Sequence, residues 1–337
     1  SHSQTMSGRI DKIITRLEAR IGEGQFYEAQ QQARVVAARH TKAKNWDAAI
    51  DLLHRVAQAL LKAGQGGSGG DLCMLMIDVF VQAQMKPDAN LKAKALSCLR
   101  LFPSEEPTRK RFIGEMLGWS SKFGEFPAGD PELHHVAGAL YAEEHDAYEA
   151  ERHLVLGTKE SAEIFARLEY TWYKESGSPH TAAVYASRAV LPYLLVANVR
   201  GAYTAFNVFT TALSADNPAL AVEHVEKGIF SVPVFASLPL MNFLGLLLAV
   251  VQTGNTEAYK QLLAKYAHFI KDVAEYWQES LDTIGEMYFK VQRPRQSNPL
   301  MDMMGSLFGD ALPAAARSNK RVPVTNQVEA PAPESLD

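Results

Sequence analysis

The sequence predicts an all-α protein, a right-handed α-solenoid of paired antiparallel helices similar to tetratricopeptide repeats. Apolar residues recur at intervals of three and four along most of the chain, the spacing of one buried helix face. Short breakers rich in Gly, Pro, Asn and Asp separate these segments. The chain has 337 residues, more than the ~250–300 over which one core keeps growing. Two packed halves or an elongated helical array are therefore expected.

The first predicted helix spans 8–21 and has two distinct faces. Its apolar stripe consists of Ile10, Ile13, Ile14, Leu17 and Ile21. Its second face is a basic ridge made of Arg9, Lys12, Arg16 and Arg20. A charge ridge of this kind is usually solvated, and contact with an acidic protein partner is the alternative. Residues 1–5, SHSQT, are typical of a segment appended for expression, so we place the natural start at Met6.

Two further helices share a pattern about twenty residues apart. Phe26 with Ala29 opens the first helix, and Trp46 with Ala49 opens the second. This alternation of aromatic and small residues resembles tetratricopeptide-like hairpins. Because one helix pair cannot bury its apolar face alone, such pairs stack on their neighbours.

The Gly-rich run 66–70 formally matches the G-x-S-x-G motif of hydrolases. That motif places its serine at a strained strand-to-helix turn, whereas this run follows a helix predicted to end at Ala63. It also lacks the Gly-Lys-Ser/Thr ending of a phosphate-binding loop. We predict a flexible linker, with Asp71 capping the next helix or meeting a partner's basic group. An α-helical hydrolase that uses Ser68 is the rival hypothesis from the enzyme class.

The rest of the chain continues as helices with short connections. Predicted helices cover 72–85, 89–101, 107–122, 131–144, 147–156, 159–174, 179–196, 198–214, 218–227, 240–252, 256–269 and 274–289. Several begin with Pro, Ser, Thr or Asp, as helix starts require. A natural midpoint lies near Gly157, so the two halves are predicted at 6–157 and 158–291.

The most apolar stretch is 238–254, LPLMNFLGLLLAVVQTG, which carries no charge. Pro233, Pro239 and Asn242 interrupt the apolar residues in this region, whereas a membrane span needs roughly 20 in a row. A helix that is apolar all round is buried all round. Pro239 fits its first turn and Gly254 its end. A core helix is the simpler interpretation, and a core helix beside an open groove filled by another chain is the alternative.

Two segments depart from the helical pattern. The run 229–237, rich in Val and Phe with one Pro, suits a short edge strand or an arm of a β-hairpin. Beyond Val291, the tail 292–337 is rich in Pro, Ala, Ser and Glu and is predicted to be largely disordered. Within it, the Met-rich island 298–310 is either a docking peptide or a strap onto the protein's own surface.

Composition and spacing argue against an enzyme, a metalloprotein and a nucleic-acid-binding protein. A formal net charge of −4 offers nucleic acid no bulk attraction. His145 and His153 are about 12 Å apart on a helix, too far for a zinc pair, and the adjacent His134 and His135 diverge. Two cysteines support no disulfide framework and favour a reducing compartment. With no recognisable signal peptide, a cytosolic protein without cofactor, metal or stable membrane insertion is predicted.

Several motifs, in order along the chain, resemble the Golgi-to-ER traffic protein four family. They are QGGSGGDL (65–72), GDPELH (129–134), YEAERHLVLGT (148–158), LMNFLGLLLAVVQT (240–253) and DMMGSLFG (302–309). The resemblance covers about 9–309. It implies a non-enzymatic helical-repeat scaffold in the cytosolic pathway that delivers tail-anchored membrane proteins to the endoplasmic reticulum. A helical-repeat subunit of another cytosolic complex, of the proteasome-lid or coat type, is the alternative.

The resemblance also implies two direct partners. The N-terminal half would dock on the dimeric targeting ATPase and favour its nucleotide-bound, client-ready form. The C-terminal half would bind the N-terminal segment of a ubiquitin-like-domain protein, which recruits a client-loaded co-chaperone. The implied ATPase-facing residues are Lys12, Arg16, Arg20, Phe26, Tyr27, Lys42 and, for regulating nucleotide turnover, Asp71. The residues implied for the ubiquitin-like partner are Ile229, Phe230, Val232, Val234, Phe235, Leu238, Leu240, Phe243 and Leu247.

Overall fold

In a computed structural model of the protein, most of the described residues are α-helical, and they include one small β-sheet. The structure describes residues 2–220, 222–227, 230–293 and 299–307. Its helices are α1 His2–Gly22, α2 Phe26–Lys42, α3 Trp46–Lys62, α4 Gly66–Gln82, α5 Ala89–Leu99, α6 Pro107–Phe123, α7 Pro131–Glu143, α8 Ala147–Leu154, α9 Ser161–Ser176, α10 Ala182–Leu195, α11 Val199–Asp216, α12 Pro239–Thr253, α13 Thr256–Ile270, α14 Ala274–Phe289 and α15 Pro299–Leu307. Its strands are β1 Glu223–Lys227 and β2 Phe230–Val234. The predicted all-α class is confirmed.

The helices group into two compact units, Ser1–Thr158 and Lys159–Asp337. In the first unit α2, α4 and α6 pack in one row, and α1, α3, α5 and α7 pack in another. In the second unit α10 packs on α9 and α11, and α12 packs on α13 and β2. Most helices therefore bury their apolar faces against helices that are adjacent or next-but-one in sequence, which is the stacking of helical repeats. The exception is α14, which also packs on α10.

A twenty-residue repeat organises α2, α3 and α4. Each of these helices has 17 residues, and three residues connect each one to the next. Gly24, Lys44 and Gly64 hold equivalent places before the three helices, with φ of 82°, 59° and 78°. This left-handed conformation ends a helix within one residue and reverses the chain, so successive helices lie side by side. It is adopted readily by glycine and at a steric cost by Lys44.

The Gly-rich run 66–70 forms the start of α4, so the prediction of a flexible linker is wrong. α4 begins at Gly66, the place that Phe26 holds in α2 and Trp46 holds in α3. Glycine has a low helix propensity and concealed this third member of the repeat. The prediction of Asp71 as a helix cap is also wrong, because Asp71 lies in the second turn of α4.

The glycines of α4 allow close approach of neighbouring helices. A Cβ atom on Gly69 would lie 2.7 Å from Leu61 Cγ of α3, and one on Gly70 would lie 2.6 Å from Thr108 Oγ1 of α6. Real Cβ atoms do not approach other atoms so closely. The packing of α4 between α3 and α6 therefore requires glycine at both positions, against its helix propensity.

The sheet is an antiparallel hairpin in which Val225 of β1 lies opposite Val232 of β2. The predicted hairpin arm in 229–237 is confirmed, since β2 lies there. The prediction of a helix over 218–227 is wrong, because Pro218–Leu220 forms a 3-10 turn and β1 follows it. The EHVEK sequence of β1 contains helix formers, but pairing with the Val-rich β2 decides its conformation.

The predicted core helix is α12, and it occupies the centre of the second unit. Pro239 is its first residue, and Gly254 ends it with φ of 63°. Phe243 stacks on Trp277 of α14, with ring centroids 5.6 Å apart. The Trp277 indole N–H in turn donates to Ser187 Oγ of α10 at 2.8 Å. Three helices thus meet around one fully buried indole.

Helix α15 lies inside the segment predicted as a largely disordered tail. Met303, Met304 and Leu307 on this helix are exposed. The rest of that prediction falls on 294–298 and 308–337, which lie outside the described residues.

Candidate functional site

The charged side chains of α1 are sorted between two faces. Asp11 and Glu18 pair with Arg55 of α3, at N···O distances of 3.4 and 2.9 Å. Lys12 and Arg16 are exposed, and within the described part of the chain neither makes a hydrogen bond or an ion pair. Because Asp11 and Glu18 lie on the side of α1 that meets Arg55, the face that carries Lys12 and Arg16 presents positive charge.

The other predicted residues of α1 and α2 differ in exposure. Arg20 donates to Gln32 Oε1 of α2 at 2.5 Å, so it ties the two helices together. Tyr27 is 69% exposed, whereas its neighbour Phe26 is half-buried. Lys42 is the exposed last residue of α2, where a cation complements the helix dipole. No hydrogen bond or ion pair between described residues joins two members of the predicted N-terminal set.

Asp71 is held by two side chains of α2. Arg34 Nη1 lies 2.7 Å from Asp71 Oδ1 and 2.6 Å from Oδ2. Gln30 Nε2 donates to Oδ2 at 2.9 Å. Both donors lie one helical turn apart on the same face of α2. The sequence pattern indicates Asp71 but not its two partners, because these lie about forty residues away in sequence.

The predicted C-terminal residues fall into three groups. The buried ones are Val232, Phe235, Leu238, Phe243 and Leu247. The half-buried ones are Val234 and Leu240. Ile229 and the side chain of Phe230 lie outside the described residues. Of this set, Val234 and Leu240 therefore retain surface that another chain could contact.

Asn242 joins the hairpin to α12. Its side-chain N–H donates to the Phe235 carbonyl, and the Phe235 N–H donates to Asn242 Oδ1, each at 2.8 Å. Nearby, a Cβ atom on Gly245 would lie 2.7 Å from Val232 Cγ1, so glycine lets β2 lie directly against α12. In the sequence Asn242 interrupts an apolar run; in the structure it satisfies the backbone at the end of the hairpin.

A small depression lies between α11, β2 and α12. Its lining includes Tyr203, Asn207, Pro233, Leu248 and Gln252. Tyr203 and Leu248 contribute aromatic and aliphatic carbon to this lining, and Asn207 and Gln252 contribute side-chain amides. The depression is of mixed polarity and is too small to hold a peptide side chain.

A buried histidine pair that the sequence did not reveal clamps α7 to α8. His134 Nδ1 and His153 Nδ1 are 3.1 Å apart. His134 Nε2 lies 2.8 Å from the Ala128 carbonyl, which can only accept, so Nε2 carries the proton. In the neutral pair, His153 Nδ1–H therefore donates to His134 Nδ1. The Tyr141 ring stacks on His153, with centroids 5.8 Å apart.

Burial and charge keep both rings of this pair neutral. Burial lowers the pKa of His153 to about 4, and the neighbouring His134 and Arg152 act in the same direction. Burial also lowers the pKa of His134. For Glu149, burial acts to raise the pKa, but the bonds from Lys110 and Arg152, at 2.9 and 3.0 Å, outweigh it and lower the pKa. The cluster is therefore a structural contact between helices.

The described residues were compared with the requirements of a metal site and of an activated nucleophile. They contain no group of three or more His, Cys, Asp and Glu side chains that could hold a metal ion. Ser68 lies in the first turn of α4, not at the strand-to-helix turn that activates a G-x-S-x-G serine. Cys73 and Cys98 are free and buried, and burial raises the pKa of the Cys73 thiol. Among the helices described here, none is long and apolar enough to cross a bilayer.

Together, the stacked helix pairs and their surfaces define a helical-repeat protein of the solenoid class. The model of one family, described as Golgi to ER traffic protein 4, matches residues 43–308. The chain is 52% identical over 318 residues to Golgi to ER traffic protein 4 of Aspergillus fumigatus, covering 90% of this chain and 91% of the relative. It is 35% identical to the Schizosaccharomyces pombe protein of that name, covering 89% and 96%.

The structural comparison agrees. A crystal structure described as C. therm. Get4 is 53% identical, superposes with a TM-score of 0.84, and is matched over 93% of this chain and 99% of that one. The chain belongs to the Golgi to ER traffic protein 4 family. Membership supports a role in traffic directed to the endoplasmic reticulum.

Proposed function

We propose that the chain is a non-enzymatic adaptor in the cytosolic pathway that delivers tail-anchored membrane proteins to the endoplasmic reticulum. Its first unit would bind the dimeric targeting ATPase and favour the nucleotide-bound, client-ready form. Its second unit would bind the N-terminal segment of a ubiquitin-like-domain protein and so recruit a client-loaded co-chaperone. The observation that carries the proposal is the sorting of charge on α1, where Lys12 and Arg16 stay exposed while the acids pair with Arg55.

Unpaired cations on a rigid helix suit an acidic protein surface. Charges of this kind steer the encounter and set the register of docking, and salt screens them. Lys42 adds a further exposed cation at the end of α2. Tyr27, exposed in the first turn of α2, offers the aromatic area that commonly anchors an interface.

The second surface has a different chemistry. The half-buried Val234 is the last residue of β2, and the half-buried Leu240 lies in the first turn of α12. The exposed parts of these two apolar side chains support binding of an apolar peptide segment. Because burial of apolar area responds little to screening, this contact should persist at high salt.

Titration of the purified targeting ATPase into the full chain tests the first surface. We expect Lys12→Glu with Arg16→Glu to raise the dissociation constant about tenfold or more at low salt, because attraction becomes repulsion. At high salt the difference should shrink. Lys260→Glu with Lys271→Glu, exposed in the second unit, makes the same change in net charge and should leave the affinity unchanged.

An affinity that is the same for the Lys12/Arg16 variant and the parent chain would rule out this surface. For the second surface, Leu240→Asp should strongly weaken capture of the ubiquitin-like protein's N-terminal segment, with only a small decrease in the melting temperature of the chain alone. Retained capture would show that Leu240 lies outside the contact.

A further inference from the structure

The chain has two cysteines, and the fold brings them together in the first unit. Cys73 lies in the third turn of α4, and Cys98 lies in the last turn of α5. Both side chains are fully buried, and that of Cys73 makes a hydrogen bond with that of Cys98. Residues 74–97 separate them in the sequence, so the packing of α5 on α4 creates this contact.

Contact between two thiols is the arrangement from which a disulfide forms. A disulfide needs side chains that point toward each other, with Cβ atoms about 4 Å apart. A hydrogen bond between thiols requires a similar orientation, because the proton of one sulfur must lie within reach of the other sulfur. The two sulfurs therefore have to approach by only a small distance to form an S–S bond.

The surroundings of the pair differ from those of a catalytic cysteine. Burial is the main cause that raises the pKa of the Cys73 thiol, and its hydrogen bond with Cys98 acts in the same direction. A nucleophilic cysteine needs the opposite environment, in which a neighbouring cation or a helix N-terminus lowers the thiol pKa. As small apolar groups, Cys73 and Cys98 fill the core as alanine would. What alanine does not offer is the chemistry of two sulfurs in contact.

We propose that Cys73 and Cys98 are a redox modification site, at which hydrogen peroxide converts the two thiols into an intrachain disulfide that links α4 to α5. The sulfur of one cysteine attacks a peroxide oxygen, which gives a sulfenic acid and releases one water. The second thiol then attacks the sulfenic sulfur, so that the S–S bond forms and a second water leaves. Two electrons pass from the sulfurs to the peroxide, and the two thiol protons leave in the waters.

Burial determines when this reaction occurs. Because both thiols are fully buried, peroxide reaches them when α5 separates transiently from α4. The raised pKa of Cys73 also keeps its reactive thiolate scarce near neutral pH. The pair therefore stays reduced until peroxide is abundant. Once formed, the disulfide opposes the separation of α5, a helix that also packs on α3, α6 and α7.

Treatment of the full folded chain with hydrogen peroxide tests the proposal, followed by peptide mapping without reductant. We expect the peptides that contain Cys73 and Cys98 to become linked. The melting temperature of the oxidised chain should rise by about 5 °C, because the link restricts the unfolded state. Dithiothreitol should restore both thiols and the original melting temperature, since a disulfide is reversible and a sulfinic acid is not.

Cys73→Ala and Cys98→Ala are the matched controls, because each keeps one thiol and a small apolar side chain at the other position. After the same treatment, neither variant should give the linked peptide or a higher melting temperature. Sulfoxide at the exposed Met303 and Met304 verifies in every sample that the peroxide has reacted.

Two results would overturn the proposal. The first is a parent chain whose Met303 and Met304 are oxidised while the cysteine peptides remain separate. The second is a linked chain that melts at a lower temperature than the reduced chain, which would show that the fold has to distort to form the bond. Neither result depends on partner binding, so the proposed function is tested separately.

Discussion

The two candidate surfaces differ in how their residues are used by the fold. In the first unit Lys12, Arg16, Tyr27 and Lys42 are exposed and belong to no core. In the second unit five of the nine predicted residues are buried against the chain's own helices. An exposed cation is outside because burial of an unpaired charge is costly. The type of an apolar residue does not show whether it lies in the core or in an interface, because both use the same side chains.

This difference shows what each pattern can establish. A charge ridge reports exposure directly and leaves open only whether a partner is present. An apolar stretch reports burial and leaves open what buries it. The structure answers that second question for α12, where Phe243 stacks on Trp277 and Asn242 holds the end of the hairpin. The predictions below test this distinction through stability.

The largest effect is expected at Leu247, which is fully buried in α12. Leu247→Ala should lower the free energy of unfolding by about 3 kcal/mol, from lost burial and the cavity left behind. Leu240→Ala, half-buried in the first turn of the same helix, should cost less than about 1 kcal/mol. Urea unfolding followed by tryptophan fluorescence measures both. Equal losses would show that burial does not divide the apolar stretch into core and surface.

A smaller effect is expected at Gly69 of α4. Like Leu247 in the second unit, this residue of the first unit is determined by packing against a neighbouring helix. Gly69→Ala should destabilise the protein by about 1–2 kcal/mol, because its Cβ would lie 2.7 Å from Leu61 Cγ. Gly67→Ala is the control, since a Cβ there meets nothing within 4 Å. That variant should be neutral or slightly stabilising through its higher helix propensity. Stabilisation by Gly69→Ala would contradict the packing explanation for the glycines.

The buried histidine pair should make stability depend on pH. The folded state holds the pKa of His153 at about 4, below the ~6.5 of an unfolded histidine. The unfolded chain therefore takes up the proton first, so stability is full above pH ~6.5 and falls toward pH ~4. From pH 6.5 to 5.5 the loss from His153 alone is about 1 kcal/mol.

Chemical denaturation at several pH values measures this slope, and His153→Gln is the variant that removes the titrating group. Its stability should be lower at pH 7, because the contact with His134 is lost, but should fall less steeply below pH 6.5. Lys110, whose pKa is raised, stays charged across this range and does not add to the slope. Glu149, whose pKa is lowered from 4.5 in the folded state, adds to the slope only at the acidic end of the range, where the unfolded chain protonates it first. An identical slope in parent and variant would assign the pH dependence to other groups.

The features that sequence alone could predict are local. The offset of Phe26 with Ala29 and of Trp46 with Ala49 predicted the helix repeat, and Pro239 with Gly254 predicted the bounds of α12. The third repeat was missed at Gly66, because helix propensity counts against glycine while the packing that demands glycine is not local. β1 was missed because its partner strand decides its conformation.

The candidate site shows the same limit. The ridge on α1 was readable because its spacing is helical, but the pairing of Asp11 and Glu18 with Arg55 joins residues 44 and 37 positions apart. Arg34 and Gln30 are similarly remote from Asp71, and His134 is 19 positions from His153. Contacts between helices that stack in space are set by the register of packing, which one sequence does not specify.

The smallest effect on stability is expected from the residues with the largest proposed effect on binding. Lys12→Glu with Arg16→Glu should change the free energy of unfolding by less than about 0.5 kcal/mol, because neither side chain has a partner among the described residues. Thermal melting of the chain alone, beside the titration, measures this. A clear loss of stability would show that the ridge serves the fold. An unchanged melting temperature together with weakened binding would show that the fold does not need the charges of α1. The two surfaces would then differ in kind, because the fold does need the buried apolar side chains of α12.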